Sequence, residues 1–396
     1  MKNSPLRLAI VGGQRGSHFS GSMSSLRDDI ELVAICDLDE STVNQWQSSW
    51  EGLKGFTNYE EMLADPDIDA VFLATPLFIH ARQAIAALRA GKHVLSEVIA
   101  VTTLEDGWEL IETVKATGKH YMMAENYCFI RSNMQVMNMI KSNVFGSLTY
   151  LEGAYIHDCR SMLFDSKGEL TWRGRLHRDY NGMNYPTHSL GPLAMWMDLN
   201  REGGDRLVSI STFTSSAVAA RRYFHEVVKP AHPYARDVDF QQGDSAISIL
   251  RTASGALIHL RVDWTSGRPH DMAHYALQGE RGAYTSGKPG DEGPLVYMEG
   301  ISPGLSWEGD IAWEPLSKYS ASYEHPLWRD FGAEAKKAGH GGGDLFVIKE
   351  FADAIHENRN PMIDVYDAVL WSSIFPLSME SVSKGGREIQ IPNFRI

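Results

Sequence analysis

The stretch Asn184-Tyr185-Pro186-Thr187-His188-Ser189-Leu190-Gly191-Pro192 places a phenol, a hydroxyl and an imidazole within four residues of one another. Each can donate or accept a hydrogen bond, and an imidazole changes charge near neutral pH. Together they could hold a polar ligand and move its protons. Tyr155 and His157 add a second phenol and imidazole, two apart in an alternating segment and therefore on one strand face. Asp158 points to the other face and makes a poor partner for His157.

These groups need elements to position them. An apolar run after a Thr/Ser cap predicts a helix over 190–197, and helix starts collect polar ligands. Upstream, residues 1–127 alternate short apolar runs (6–11, 31–36, 70–74, 93–95 and 120–123) with helix patterns at 40–50, 77–90 and 103–117. Such alternation implies βαβ units in a doubly wound parallel sheet. Beyond Phe129 the pattern changes: a helix over 131–143, then strands at 148–157, 207–213, 245–250, 256–262 and 274–278, in close succession with Gly/Ser turns. That order predicts a large open, mainly antiparallel sheet. The Gly-, Pro- and Trp-rich segments 160–185 and 286–342 read as functional loops, and helices at 343–357 and 365–383 close the chain. The expected architecture is α/β: an N-terminal Rossmann domain over 1–127 and a C-terminal α+β domain over 128–396.

Composition narrows the partners. The chain has 396 residues and a formal net charge of −13, with no Lys/Arg run, which argues against nucleic acid and anionic membranes. Cys36, Cys128 and Cys159 lack CxxC spacing, so neither a disulfide framework nor a zinc site is indicated. His18, His80, His93 and His120 are scattered without metal-ligand spacing, and no metal is expected. No apolar run approaches the ~18 residues of a membrane span, and a strand follows the N-terminus at once, so a cytoplasmic protein is expected.

Gly12-Gly13-Gln14-Arg15-Gly16 follows the first strand. Glycines there let backbone approach a pyrophosphate, with Gly13 and Gly16 in the second and third places of a dinucleotide fingerprint. Asp37 ends the second strand about 20 residues on, where a carboxylate binds ribose hydroxyls and repels a 2′-phosphate. NAD is therefore expected rather than NADP, over the carboxyl ends of the parallel strands.

Ala74-Thr75-Pro76, His80 and Ala90-Gly91-Lys92-His93-Val94 then make the chain resemble the Gfo/Idh/MocA oxidoreductases over essentially its whole length. Ordinary members carry Glu-Lys-Pro after that strand, and the lysine assists carbinol oxidation. Here Glu97-Val98-Ile99 stands instead, and a valine moves no proton. Glu97-Val98, Ala124-Glu125-Asn126-Tyr127-Cys128, Gly153-Ala154-Tyr155-Ile156-His157-Asp158, Trp172-Arg173, Tyr185 to Pro192 and His340-Gly341-Gly342-Gly343-Asp344 resemble glycoside hydrolase family 109. These are NAD-dependent glycosidases that include α-N-acetylgalactosaminidases.

The resemblance implies cofactor contacts from Arg15, Gly16, Asp37, Leu77, His80, Glu97, Val98 and Asn126. It implies sugar contacts from Tyr155, Arg173, Tyr185, Thr187 and His188. Glu125 is expected to bind the substrate, contact the nicotinamide ribose or orient a catalytic group, its alternative being a structural hydrogen bond between the domains. An Arg-Pro-Tyr motif of the family appears as Arg268-Pro269-His270, so His270 would alter sugar specificity. The implied chemistry is oxidation at C3, elimination across C1–C2, water addition and re-reduction. Tyr155 is the candidate base at C2, and His188 would assist at the C3 hydroxyl.

Two alternatives stay open for the enzyme. One is a sulfoquinovosidase like those of glycoside hydrolase family 188, its sulfonate held by Arg173, Arg175, His177 and Arg178. The other is a sugar or polyol dehydrogenase. A catalytically silent NAD-binding regulator is the third reading. His340 to Asp344 also reads as a glycine turn with Asp344 capping the next helix. The aromatic segment Trp307, Trp313, Tyr319, Tyr323 and Trp328 would stack on sugar or contact a second subunit. A homo-oligomer, dimer or tetramer, is expected from the resemblance.

Overall fold

The computed structural model describes residues 4–269, 271–287, 293–303 and 312–395. They form two compact units, Met1–Arg131 with His325–Ser373, and Ser132–Glu324 with Ile374–Ile396. The units are discontinuous, unlike the single cut at 127/128 read from the sequence. A stretch near the C-terminus packs with the first unit because its buried helix Gly343–His356 lies against N-terminal elements.

The first unit holds a parallel sheet. Its described strands are β1 (Leu6–Val11), β2 (Ile30–Cys36), β3 (Lys54–Phe56), β4 (Ala70–Leu73), β5 (His93–Ser96) and β6 (Tyr121–Met123), in the order β3-β2-β1-β4-β5-β6. Every pairing is parallel. Strands covered on both faces read as continuous apolar runs, as Leu-Arg-Leu-Ala-Ile-Val and Ala-Val-Phe-Leu do. The short edge strand Lys-Gly-Phe is mostly exposed and carries no such signal, which is why the sequence did not reveal it. Crossover helices are capped as written. Thr103 accepts from the Asp106 amide at the start of Leu104–Thr117, and Gly118 ends that helix at φ 64°.

The second unit holds a mixed sheet of β7 (Leu148–Ile156), β8 (Leu207–Thr214), β9 (Ser245–Thr252), β10 (Leu257–Asp263), β11 (Asp271–Gly279), β12 (Gly282–Thr285), β13 (Leu295–Met298), β14 (Glu314–Pro315) and β15 (Ile389–Gln390). Among the described residues its order is β14-β13-β12-β11-β7-β10-β9-β8-β15. Only β7 and β10 pair parallel among these strands. β9 alternates buried and exposed positions along its length, as a sheet covered on one face requires.

Two loop readings are corrected. Residues 160–185 contain a short turn of helix at Arg160–Leu163 and the helix Trp172–Asp179, started by Thr171, whose hydroxyl accepts from the Gly174 amide. The described part of 286–342 carries β13, β14 and the helices Ser320–Tyr323 and Pro326–Ala335. These pieces are short, so too few residues carry their apolar periodicity for it to be read. No described helix is long and apolar enough to cross a membrane.

Candidate active site

In the first unit, the turn after β1 is built for close approach. Gly12 has φ 95°, and a side chain there would meet the Ala74 carbonyl oxygen at 2.6 Å. Gly13 and Gly16 have no room for a Cβ either, with Thr42 and Ile10 at 2.5 Å respectively. Asp37, at the end of β2, accepts from the Gly13 amide at 2.7 Å, joining the turn to the strand end. This is the geometry a dinucleotide needs: bare backbone at the turn and a carboxylate beyond the second strand.

Arg15 crosses to Glu97 (Nε to Oε1, 2.6 Å), and Glu97 also accepts from the Val98 amide. A guanidinium on one side of an almost buried carboxylate holds both in fixed places. Arg15 also contacts His18 Nδ1 at 3.1 Å. Burial and the Arg15 charge hold the His18 pKa below its ordinary value. Val98 is 3 % exposed, an apolar group where the oxidoreductase pattern has lysine, and its peptide bond to Ile99 is cis.

Leu77 opens a short helical turn at Leu77–Ile79 and is buried. His80 directs its two ring nitrogens at the carbonyls of Thr75 (2.7 Å) and Ile99 (2.9 Å). Its ring ties two backbone segments together, and burial pushes its pKa down.

Glu125 caps the turn Asn126–Phe129 by accepting from the Tyr127 amide. Asn126 donates from Nδ2 to Asp344 Oδ1 at 2.7 Å, and His340 Nδ1 lies 3.0 Å from both Asp344 oxygens. Asp344 is thus not the N-cap expected: the cap is Gly342, at φ 96°, and the Asp344 carboxylate is spent on side chains. His93 and His120, read as scattered, adjoin at 3.2 Å between ring nitrogens.

In the second unit the site is a cluster of rings. The Tyr155 ring lies 4.8 Å from His188, 5.7 Å from His157 and 6.1 Å from Tyr185. Tyr185 lies 5.1 Å from His188 and 5.0 Å from Trp264. Gly153 explains the approach. It shares the inward face of β7 with Tyr155, and a Cβ there would sit 2.0 Å from the Ser189 carbonyl oxygen. The missing side chain lets helix Thr187–Trp196 settle onto the strand. Ser189 Oγ then donates to the Arg261 carbonyl, and Tyr275 Oη donates to the His188 carbonyl. The helix begins at Thr187, three residues before the predicted start, with Pro186 as its cap and no side-chain cap bond.

Tyr185 adopts φ 61°, a left-handed conformation costly for an aromatic residue and most often retained at functional sites. Beside it, the amide of buried Asn184 and the hydroxyl of buried Thr187 have no hydrogen-bond partner among the described residues. Arg173 stacks over the ring of its neighbour Trp172 at 4.2 Å. The cationic cluster read around it is corrected. His177 is 2 % exposed, stacks on Trp264 at 5.5 Å, and burial pushes its pKa down to about 4, so it carries no charge near neutrality. Arg178 is occupied by Asp179.

Asp158 forms a two-bond pair with Arg160, which holds its carboxyl below the usual range. His270 and Trp307 lie outside the described residues. Trp313 is 45 % exposed in the second unit, while Trp328 is buried in the first and donates to the Phe129 carbonyl. Trp264 and the true partners of Asp344 were missed in the sequence. Trp264 and Asn126 meet their partners Tyr185 and Asp344 only across long chain separations, while His340 lies four residues from Asp344 within the same motif.

A glycine-lined turn with an acid beyond the second strand of a parallel sheet, followed by a second, mainly antiparallel sheet, defines an NAD-binding oxidoreductase fold. Residues 6–125 match the oxidoreductase family model with an NAD-binding Rossmann fold, and residues 129–395 match the C-terminal domain model of glycosyl hydrolase 109. The chain belongs to the glycosyl hydrolase 109 family. It is 34 % identical to a glycosyl hydrolase family 109 protein of Solibacter usitatus, over 99 % of this chain and 89 % of that one. It is also 34 % identical to one of Stenotrophomonas maltophilia, over 98 % and 89 %.

In fold it is similar to levoglucosan dehydrogenase in complex with NADH (TM-score 0.77, 18 % identity, 98 % of this chain and 99 % of that one). It is likewise similar to the WlbA dehydrogenase of Bordetella pertussis in complex with NADH and UDP-GlcNAcA (TM-score 0.71, 18 % identity, 99 % of each chain). The protein is an NAD-dependent glycosidase.

Proposed function

We propose that the enzyme cleaves a hexoside, an α-N-acetylgalactosaminide or a similar sugar, by C3 oxidation, C1–C2 elimination, water addition and re-reduction. When bound, NAD supplies the hydride acceptor and donor for C3. Gly13, Arg15, Gly16, Asp37, Glu97 and Asn126 are the residues proposed to hold it. The remaining steps fall to side chains of the second unit.

His188 takes the proton of the C3 hydroxyl as that carbon becomes a ketone, a task Val98 has no group to perform. The ketone acidifies the C2 hydrogen. Tyr155 removes that proton, the C1–O bond breaks, and the departing oxygen takes a proton from the water whose oxygen then adds at C1. Tyr155 returns its proton to C2, and His188 returns its proton to the C3 oxygen. Tyr185, Thr187 and Arg173 position the sugar.

The observation that carries this reading is the Tyr155–His188 pair, ring centroids 4.8 Å apart, in a unit whose nearby carboxylate Asp158 is bonded to Arg160. An ordinary glycosidase needs two free carboxyl groups across the bond. The neutral His177 and the engaged Arg178 weigh against a sulfonated glycone and in favour of an uncharged one. A homo-oligomer is also proposed. Phe213 (63 % exposed), Ile247, Ile249 and Leu257 form an apolar stripe on the outer face of the second sheet, which would be covered in such an assembly.

The test is hydrolysis of aryl glycosides in deuterated water. Deuterium at C2 of the released sugar is the expected result. Cleavage without exchange would remove the elimination step, and NADH accumulating in step with an oxidised sugar would favour a dehydrogenase.

A further inference from the structure

The His340-Gly-Gly-Gly-Asp344 segment has no assigned role, yet its geometry is specific. Asp344 is 1 % exposed, and its carboxylate accepts from Asn126 Nδ2 at 2.7 Å and faces His340 Nδ1 at 3.0 Å. The glycines make this possible. A Cβ on Gly339 would lie 2.3 Å from Asp344 Oδ2, and one on Gly343 would lie 2.2 Å from the Asn126 carbonyl oxygen. His340 itself is held at φ 49°.

A carboxylate can only accept hydrogen bonds, so it turns the nitrogen of the Asn126 amide toward itself and the oxygen away. That oxygen is buried and has no hydrogen-bond partner among the described residues. A buried acceptor left alone is costly, so a donor is expected to meet it in the working protein.

Strand order indicates which donor. Asp37 follows β2 and Asn126 follows β6, on opposite sides of β1 in the order β3-β2-β1-β4-β5-β6. A dinucleotide whose adenosine ribose takes Asp37 carries its nicotinamide half toward β6. We infer that Asp344, steadied by His340, is a positioning residue that fixes the Asn126 amide so that Oδ1 accepts from the nicotinamide half of NAD. This rests on the NAD-binding assignment of the first unit and not on the proposed glycoside chemistry.

The experiment titrates the full-length chain with NAD⁺ and separately with ADP-ribose, which lacks the nicotinamide. Asn126→Ala and Asp344→Ala should each weaken NAD⁺ about tenfold and leave ADP-ribose within about twofold. The double variant should be no weaker than the worse single, because both remove one interaction. Asp344→Asn, whose side chain donates as well as accepts, no longer fixes the amide and should weaken NAD⁺ about threefold with ADP-ribose unchanged. Should Asp344→Ala fail to fold, His340→Ala, which only loosens the carboxylate, should still weaken NAD⁺ about threefold with ADP-ribose unchanged. Equal losses for both ligands, multiplied losses in the double variant, or unchanged NAD⁺ affinity would overturn the role. None of these readouts requires a glycoside to be cleaved, so failure here is distinct from failure of the proposed reaction.

Discussion

The ligand groups of the first unit are held by charge and by glycine, whereas those of the second are held by rings. In the first unit the charged groups have fixed partners, Asp37 with the Gly13 amide, Arg15 with Glu97, and Asp344 with Asn126 and His340, and the Asn126 oxygen is the exception among these groups. Around Tyr155, aromatic faces stand 4.8–6.1 Å apart, Tyr185 is held at φ 61°, and Asn184 and Thr187 have buried polar atoms without partners among the described residues. The contrast matches the two kinds of ligand. A cofactor regenerated in each cycle, as the proposed reaction requires, is best served by a firmly held cradle. A substrate that enters and leaves needs polar groups that become satisfied only when it arrives.

Four experiments press on that contrast. The largest effect is expected from the ring cluster. Tyr155→Phe should lower turnover by roughly 10²–10⁴-fold and abolish C2 exchange, while NAD⁺ affinity stays at the parental value. A variant that still exchanges deuterium at C2 takes Tyr155 out of the base role.

The second effect is on stability. The buried His177 ring has its pKa pushed down to about 4, below the ordinary value near 6.5. Above pH ~6.5 the ring is neutral in the folded and unfolded chain alike. As pH falls from there toward 4, the unfolded chain binds a proton that the folded one refuses. Stability should therefore drop across this window, by on the order of 3 kcal/mol. Urea midpoints at pH 7.5 and pH 4 would show it, and His177→Phe should flatten the dependence. An equally steep loss in that variant would place the acid sensitivity elsewhere.

Gly153→Val comes third. The Cβ would lie 2.0 Å from the Ser189 carbonyl, so the helix carrying His188 must move off the strand. About 2 kcal/mol of stability should be lost, read as a fall of several degrees in Tm, with turnover falling further than stability alone explains. Normal turnover would show that the helix position is not critical.

The smallest effect is expected from the well-partnered first unit. Asp37→Ala should narrow the preference for NAD over NADP by about tenfold in binding assays, as one like-charge repulsion is removed. Unchanged discrimination would move the ribose contact to another residue.

The cofactor unit was largely legible beforehand because its signals are local. A buried parallel strand is a continuous apolar run, the turn after it needs glycines within five residues, and Asp37 sits at a strand end that the same pattern locates. Of its described strands only the exposed edge strand Lys54–Phe56 escaped, and the helix Pro326–Ala335, which joins this unit from far along the chain, escaped as well.

In the substrate unit the sequence named the chemical groups. Tyr155, His157, Tyr185, Thr187 and His188 stand out by type and spacing, and the strand and helix that carry them were read to within a few residues. Their roles depend on distance between segments, and spacing along the chain does not encode that. Tertiary packing alone decided that Gly153 admits the helix to the strand, that Trp264 joins the rings, and that Asp344 faces Asn126 rather than capping its own helix. It also decided that His177 is neutral rather than cationic, because burial removes the water that would stabilise its charge. Local sequence thus set the elements and the inventory of reactive groups. Partners, protonation and orientation were set by what the folded chain brought together and shut away from solvent.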